Sequence, residues 1–173
     1  MHYGTIKACD IANGIGVRVS LFVSGCRNAC PHCFQPETWD FTHGEAFTEQ
    51  TKQKLLDLLA PSYIAGLTVL GGEPLEPENQ AELLPLLKAV RAAYPQKTIW
   101  LYTGFTLEEL SDSACRAATP QIRDLLAQID VLVDGRFVEA QKDITLRFRG
   151  SSNQRLIDLP ATIRTNTCVL WNG

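Results

Sequence analysis

The chain has 173 residues, with 16 Lys and Arg against 19 Asp and Glu for a net charge of −3, and 45% of it is hydrophobic. That balance leaves no basic face for nucleic acid, and the length suits a single domain over residues 1–173 with a real core. The longest apolar run, Val17 to Val23, is too short to cross a bilayer, and the first residues have neither the basic nor the apolar region of a secretory signal. The expectation is a cytoplasmic protein, in which six cysteines point to metal or redox chemistry more than to disulfides.

Val17-Arg18-Val19-Ser20-Leu21-Phe22-Val23 reads as a buried strand that runs into Ser24-Gly25 and a cysteine loop. Thr48 to Ala60 predicts a helix with Leu55, Leu56 and Leu59 on one side and Pro61 ending it. Leu67 to Leu70 is a second short strand, stopped by Gly71-Gly72-Glu73-Pro74. Pro77 to Tyr94 has helical spacing, with a kink or restart expected at Pro85. Thr98 to Tyr102 is a third strand, ending at Thr103-Gly104. Thr106 and Glu109 have capping-box spacing for a short helix. Thr119-Pro120 starts another, with Ile122, Leu125, Leu126 and Ile129 as its stripe. Val131 to Val133 is a fourth strand and meets Asp134-Gly135-Arg136. Beyond Gly150 the pattern weakens to one or two extended segments, so 156–173 is the least defined part.

Strands alternating with helices predict an α/β fold with a parallel sheet, and the continuous apolar character of the strands suggests a sheet covered on both faces. Ligands of such sheets gather at the carboxyl ends of the strands. Here those ends carry the cysteine loop, Gly-Gly-Glu-Pro, Thr-Gly and Asp-Gly-Arg in turn.

The loop itself is Cys26-Arg27-Asn28-Ala29-Cys30-Pro31-His32-Cys33. A [4Fe–4S] cluster ordinarily takes four cysteines, so three leave one iron open to another molecule. Two other readings stand beside that one. Zinc would need a fourth ligand such as His32, His43 or Cys9. A thiol–disulfide centre would use Cys30 and Cys33 alone. Cys9, Cys115 and Cys168 are isolated and read as buried small hydrophobes. Gly71-Gly72 removes side chains where another group approaches the backbone, and Glu73 beside it suits an ammonium. Together with an iron short of one ligand, this suggests an amino acid-like cosubstrate.

The Cys-x3-Cys-x2-Cys loop after one strand and Gly-Gly-Glu-Pro after the next resemble the radical S-adenosylmethionine superfamily. Further blocks narrow the resemblance: Asn13-Gly14-Ile15-Gly16-Val17-Arg18, Phe22 to Cys26, Thr38-Trp39, Val133 to Phe137 and Arg149 to Gln154. Over about residues 3–155 the chain is similar to the activating proteins of anaerobic (class III) ribonucleoside-triphosphate reductase. The resemblance implies a partial, open (β/α) barrel of the radical S-adenosylmethionine type. It implies that Cys26, Cys30 and Cys33 hold a [4Fe–4S] cluster. S-adenosylmethionine is cleaved there to a 5′-deoxyadenosyl radical, which generates a glycyl radical on the reductase. An activase of another glycyl radical enzyme, of the formate-lyase type, is the alternative within the superfamily. By position His32 and Phe34 flank the adenine, Gly71, Gly72 and Glu73 line the amino group, and Thr103 and Asp134 are walls. Arg136 pairs the cosubstrate carboxylate. Ser151, Ser152 and Asn153 either touch a ligand or form a turn. Flavodoxin or ferredoxin is the expected electron donor.

Overall fold

Seven strands make one sheet in a computed structural model that describes residues 1–173. They are β1 (His2–Asp10), β2 (Val17–Val23), β3 (Glu45–Ala46), β4 (Ile64–Gly71), β5 (Thr98–Tyr102), β6 (Val131–Asp134) and β7 (Arg155–Asp158), in the spatial order β3-β1-β2-β4-β5-β6-β7. The middle of the sheet, β2-β4-β5-β6, is parallel as predicted. The edges are not: β1 runs antiparallel to β2, β3 to β1, and β7 to β6. The sheet is therefore mixed. β1 escaped the sequence reading because only Tyr3 and Asp10 of its nine residues are buried, so it has no apolar period.

Four helices connect the strands, α1 (Glu49–Leu59), α2 (Pro77–Ala93), α3 (Leu107–Ser111) and α4 (Ile122–Leu126), and a fifth, α5 (Leu159–Thr165), follows β7. The capping box of Thr106 and Glu109 forms at the start of α3, and α1 has a second one from Thr48 and Thr51. α2 runs without interruption through Pro85, correcting the expected restart. Leu83, Leu86 and Leu87 on that stretch are fully buried, and this packing offsets the backbone bond that proline cannot make. α5 replaces one of the expected extended segments. Asp158 caps it by accepting from the Ala161 amide, with Pro160 in the first turn. No helix is long and apolar enough to cross a membrane.

Alternation along each strand divides the sheet into two unlike faces. Val19, Leu21, Val23, Leu67, Val69, Ile99, Leu101 and Leu132 join α1, α2, α3 and α4 in one core of 25 residues. On the other face stand Arg18, Ser20, Thr68, Trp100, Tyr102 and Val133, so helical cover on both faces is not what forms. Loops cover that second face instead. The carbonyl of Asn13 accepts from Thr68 Oγ1 at 2.8 Å, and Phe148 and Trp171 set their rings against Trp100 at 5.3 and 5.0 Å. Arg18, 1% exposed, donates to Thr68, Thr98 and the carbonyls of Ile15, Leu67 and Thr98. Burial lowers its pKa to about 10, which still leaves it charged at neutral pH. Cys9 and Cys168 are exposed and Cys115 is half-buried. Cys115 packs against the main core as expected, whereas Cys9 and Cys168 lie on the outer surface, so their expected role as core hydrophobes is corrected.

Candidate metal and cofactor site

The carboxyl ends of β2, β4, β5 and β6 meet on one rim. Backbone bonds lace the loops there: Gly25 N–H donates to Thr38 O, Cys26 N–H to Trp39 O, Gly72 N–H to Val23 O, and Glu73 N–H to Gly25 O. Gly71 has φ 111°, a conformation that disfavours any side chain. A Cβ at Gly72 would lie 2.8 Å from the Gly25 carbonyl oxygen, so both glycines are required for β4 to pass this close to the cysteine loop.

Glu73 is fully buried and its carboxylate is engaged on every side. Oε1 accepts from Leu75 N–H at 2.9 Å and Thr103 Oγ1 at 2.7 Å. Oε2 accepts from Gly104 N–H at 2.7 Å and Asn28 Nδ2 at 2.9 Å. Four donors fill its acceptor sites. Glu73 thus ties β4, β5 and the cysteine loop together, and its four protein donors occupy the acceptor sites that the expected ammonium would need. Glu76, also fully buried, does the same one step further out. It accepts from the backbone and guanidinium of Arg27 and from Arg116, while Arg116 also donates to Asn28 Oδ1. Asn79 at the start of α2 donates to the carbonyls of Ser24 and Glu73.

Above this framework lie two adjoining cavities. One, of about 150 Å³, is lined by Cys26, Cys30 and Cys33 together with Trp39, Gly71, Gly72, Glu73, Thr103 and Arg136. The second, of about 430 Å³, shares Cys30, Cys33, Gly71, Tyr102, Phe137 and Gln154 with it and extends past Phe34 and Asn13. Phe34 is largely exposed and packs on Phe137 with ring centroids 4.9 Å apart. Arg136 reaches the first cavity while paired with Glu109 at 3.0 Å.

Two expected contacts lie elsewhere. His32 is exposed, has φ 59° and lines neither cavity, so the aromatic wall is Phe34 and Phe137. Asp134 is buried beneath the rim, where it accepts from the Leu107 amide at the start of α3 and pairs with Arg155, and it is not a wall. Thr103 does line the cavity but spends its hydroxyl on Glu73 and the Phe105 amide. The 151–153 segment is a turn: Ser151 Oγ accepts from Val138 N–H, and Asn153 Nδ2 donates to Arg136 O.

Several residues were not singled out from the sequence. Asn28, Glu76, Asn79 and Arg116 build the frame; Tyr102, Phe137 and Gln154 line the cavities. Glu76 and Asn79 follow Gly-Gly-Glu-Pro within six residues, which is the one local signal they carried.

The donor set at the rim is three sulfurs. The remaining ligand-type side chain there, Glu73, is fully committed to protein donors. No three His, Cys, Asp or Glu side chains converge as a single ion requires, and zinc with bonds of about 2.3 Å would draw its thiolates together more tightly than a cluster does. Burial pushes the Cys26 thiol up to about 11 and raises the Cys30 thiol, so binding iron must displace their protons. Three thiols opening into one cavity on a braced loop fit a four-iron cluster with one iron left without a protein ligand.

The family model described as "4Fe-4S single cluster domain" matches residues 12–157. Curated relatives carry the name anaerobic ribonucleoside-triphosphate reductase-activating protein. The protein of Pasteurella multocida is 44% identical over 89% of this chain and 95% of its own. That of Escherichia coli K12 is 42% identical over 89% and 96%, and that of Enterobacteria phage T4 is 39% identical over 90% and 93%.

Proposed function

The chain belongs to the family of anaerobic ribonucleoside-triphosphate reductase-activating proteins, and from that premise we propose that it is a radical S-adenosylmethionine activase of such a reductase. Cys26, Cys30 and Cys33 would hold a [4Fe–4S] cluster, which when reduced would supply the one electron needed to split S-adenosylmethionine into methionine and a 5′-deoxyadenosyl radical able to take a hydrogen atom from a glycine of the reductase. The rest falls to the protein, which holds and shields the reactants. Gly71 and Gly72 leave room for the methionine end against the strand terminus. Arg136 would meet its carboxylate by exchanging the part-exposed ion pair with Glu109, which holds weakly. The 430 Å³ cavity beside Phe34 and Phe137 has the size and the aromatic wall for the adenosine.

We read the sheet, with helices on one face only, as a partial, open (β/α) barrel of the radical S-adenosylmethionine type whose open side admits the reductase's glycine loop. Flavodoxin or ferredoxin is the electron donor proposed. The observation that carries this reading is a three-thiol loop whose neighbouring carboxylate is already saturated, so that the fourth iron position falls to a cosubstrate.

The test is anaerobic reconstitution with iron and sulfide, chemical reduction with S-adenosylmethionine, and assay for methionine and 5′-deoxyadenosine. Addition of the anaerobic reductase should then yield a glycyl doublet in its EPR spectrum. Cys26→Ala should abolish both products. Retained dithiol turnover in that variant, with no 5′-deoxyadenosine from the wild type, would replace the proposal with a Cys30–Cys33 redox centre. A doublet on a formate-lyase but not on the reductase would redirect the partner alone.

A further inference from the structure

One buried polar group, on a residue that lines the cysteine cavity, has nothing to bond. Trp39 lines the cavity with Cys26, Cys30 and Cys33, and its indole Nε1 is buried without a hydrogen-bond partner. An indole N–H only donates, and burying such a group unpaired is unfavourable. The residue is also held firmly at the loop. Cys26 N–H donates to the Trp39 carbonyl at 3.2 Å, and Gly25 N–H to that of Thr38 at 2.8 Å. Thr38 itself is 4% exposed.

The carboxylate and amide oxygens of the cavity are already taken. Both Glu73 oxygens have two donors each. Asn28 Oδ1 accepts from Arg116, and Gln154 Oε1 from two backbone amides. The hydroxyl of Tyr102 is itself unpartnered. The side-chain acceptors that remain among the residues lining the cavity are the Tyr102 hydroxyl and the three cysteine sulfurs, and of these only the sulfurs would carry the cluster. Hydrogen bonds to cluster sulfur withdraw negative charge and favour the reduced, more negative form.

We infer that the Trp39 indole N–H donates a hydrogen bond to a sulfur of the cluster held by Cys26, Cys30 and Cys33, and thereby raises its reduction potential. Trp39 is then a positioning and tuning residue that acts through the cluster. This rests on the proposed [4Fe–4S] site, and iron and sulfide content reports on that site separately.

The experiment compares the reconstituted wild type, without cosubstrate, with Trp39→Phe and with a chain carrying 3-benzothienylalanine at position 39. The latter keeps the shape of tryptophan and replaces its N–H by sulfur. The readouts are iron and sulfide per chain, the potential from an EPR-monitored redox titration, and the exchangeable-proton coupling seen by ENDOR before and after exchange into deuterium oxide. The expected result is a full cluster in the benzothienyl protein, a more negative potential and loss of one exchangeable coupling. An unchanged potential or a retained coupling would overturn the inference. So would failure of the benzothienyl protein to hold a cluster that the wild type holds, because a tuning bond is not a ligand. A wild type that binds no cluster would instead fail the proposed site itself.

Discussion

Glu73 is the residue whose ionisation the fold most directly controls. Four donors surround its carboxylate, yet burial outweighs them and pushes its pKa from 4.5 up to about 7. Between those values the unfolded chain has released the proton while the folded chain still holds it, so folding stability declines as pH rises through that window and levels off above it. At about 1.4 kcal/mol per unit the decline is on the order of 3 kcal/mol. The carboxyls of Asp10, Glu78, Glu108 and Glu109 shift the other way, and their contribution is complete before pH 5. Urea midpoints of the apoprotein should therefore fall between pH 5 and 7.5, and those of Glu73→Gln should stay level. A flat wild-type profile would refute this account. Tyr102 gives a contrasting case. Its buried hydroxyl meets no partner, so Tyr102→Phe leaves no polar group stranded and should match or exceed wild-type stability by about 1 kcal/mol. A loss beyond about 2 kcal/mol in the same urea titration would mean that the hydroxyl is bonded after all.

The cysteine loop, as an element, depends on tertiary anchors more than on its own residues. Ala29 and His32 adopt φ values of 45° and 59°, which non-glycine residues hold only when the surroundings enforce them. Buried Glu76 supplies part of that enforcement by gripping Arg27 inside the loop and Arg116 beyond α3. Each arginine is partly exposed, so Arg27→Ala or Arg116→Ala alone leaves Glu76 with one guanidinium and should cost about 1 kcal/mol after screening. The double variant strands a buried carboxylate and should cost about 3–5 kcal/mol. A double-mutant cycle by urea unfolding should show a coupling of at least about 1 kcal/mol; simple additivity would mean that the two arginines act independently. This element also marks the limit of what the sequence reveals. The three cysteines and Gly71-Gly72 are legible because their spacing is local and their chemistry narrow. The capping box at Thr106 is legible for the same reason. The Glu76–Arg116 pair spans 40 residues, and no local pattern announces it. Asp134 was misread because a carboxylate at a strand end looks the same whether it faces a ligand or caps a helix.

At the scale of the whole molecule, the two ends of the parallel strands have separate duties. The carboxyl ends carry the cysteines and cavities, while the opposite end is closed by the returning chain. After β7 and α5 the last residues double back: Asp158 N–H donates to Val169 O, Trp171 N–H to Leu156 O, and Val169 N–H to Thr162 Oγ1, each at 2.9 Å. Leu170 bridges to Ile157. Trp171 thereby places its ring on Trp100, which is 2% exposed, and both contribute to a cavity with Thr98, Asp130 and Asp158 at the amino ends of β5 and β6. The apolar pattern beyond Gly150 was weak because this strap contributes single contacts to a distant strand and has no stripe of its own. Removing a buried tryptophan side chain costs about 3–5 kcal/mol, and a ring covered on one side should cost roughly half of that. Trp171→Ala is therefore expected to lower unfolding stability by about 2 kcal/mol in urea. The rim braces of Glu73 and Glu76 do not pass through Trp171, so iron and sulfide bound per chain should equal the wild type. Loss of iron in parallel with stability would mean that the strap and the rim unfold as one unit, and the division of labour along the strands would have to be abandoned.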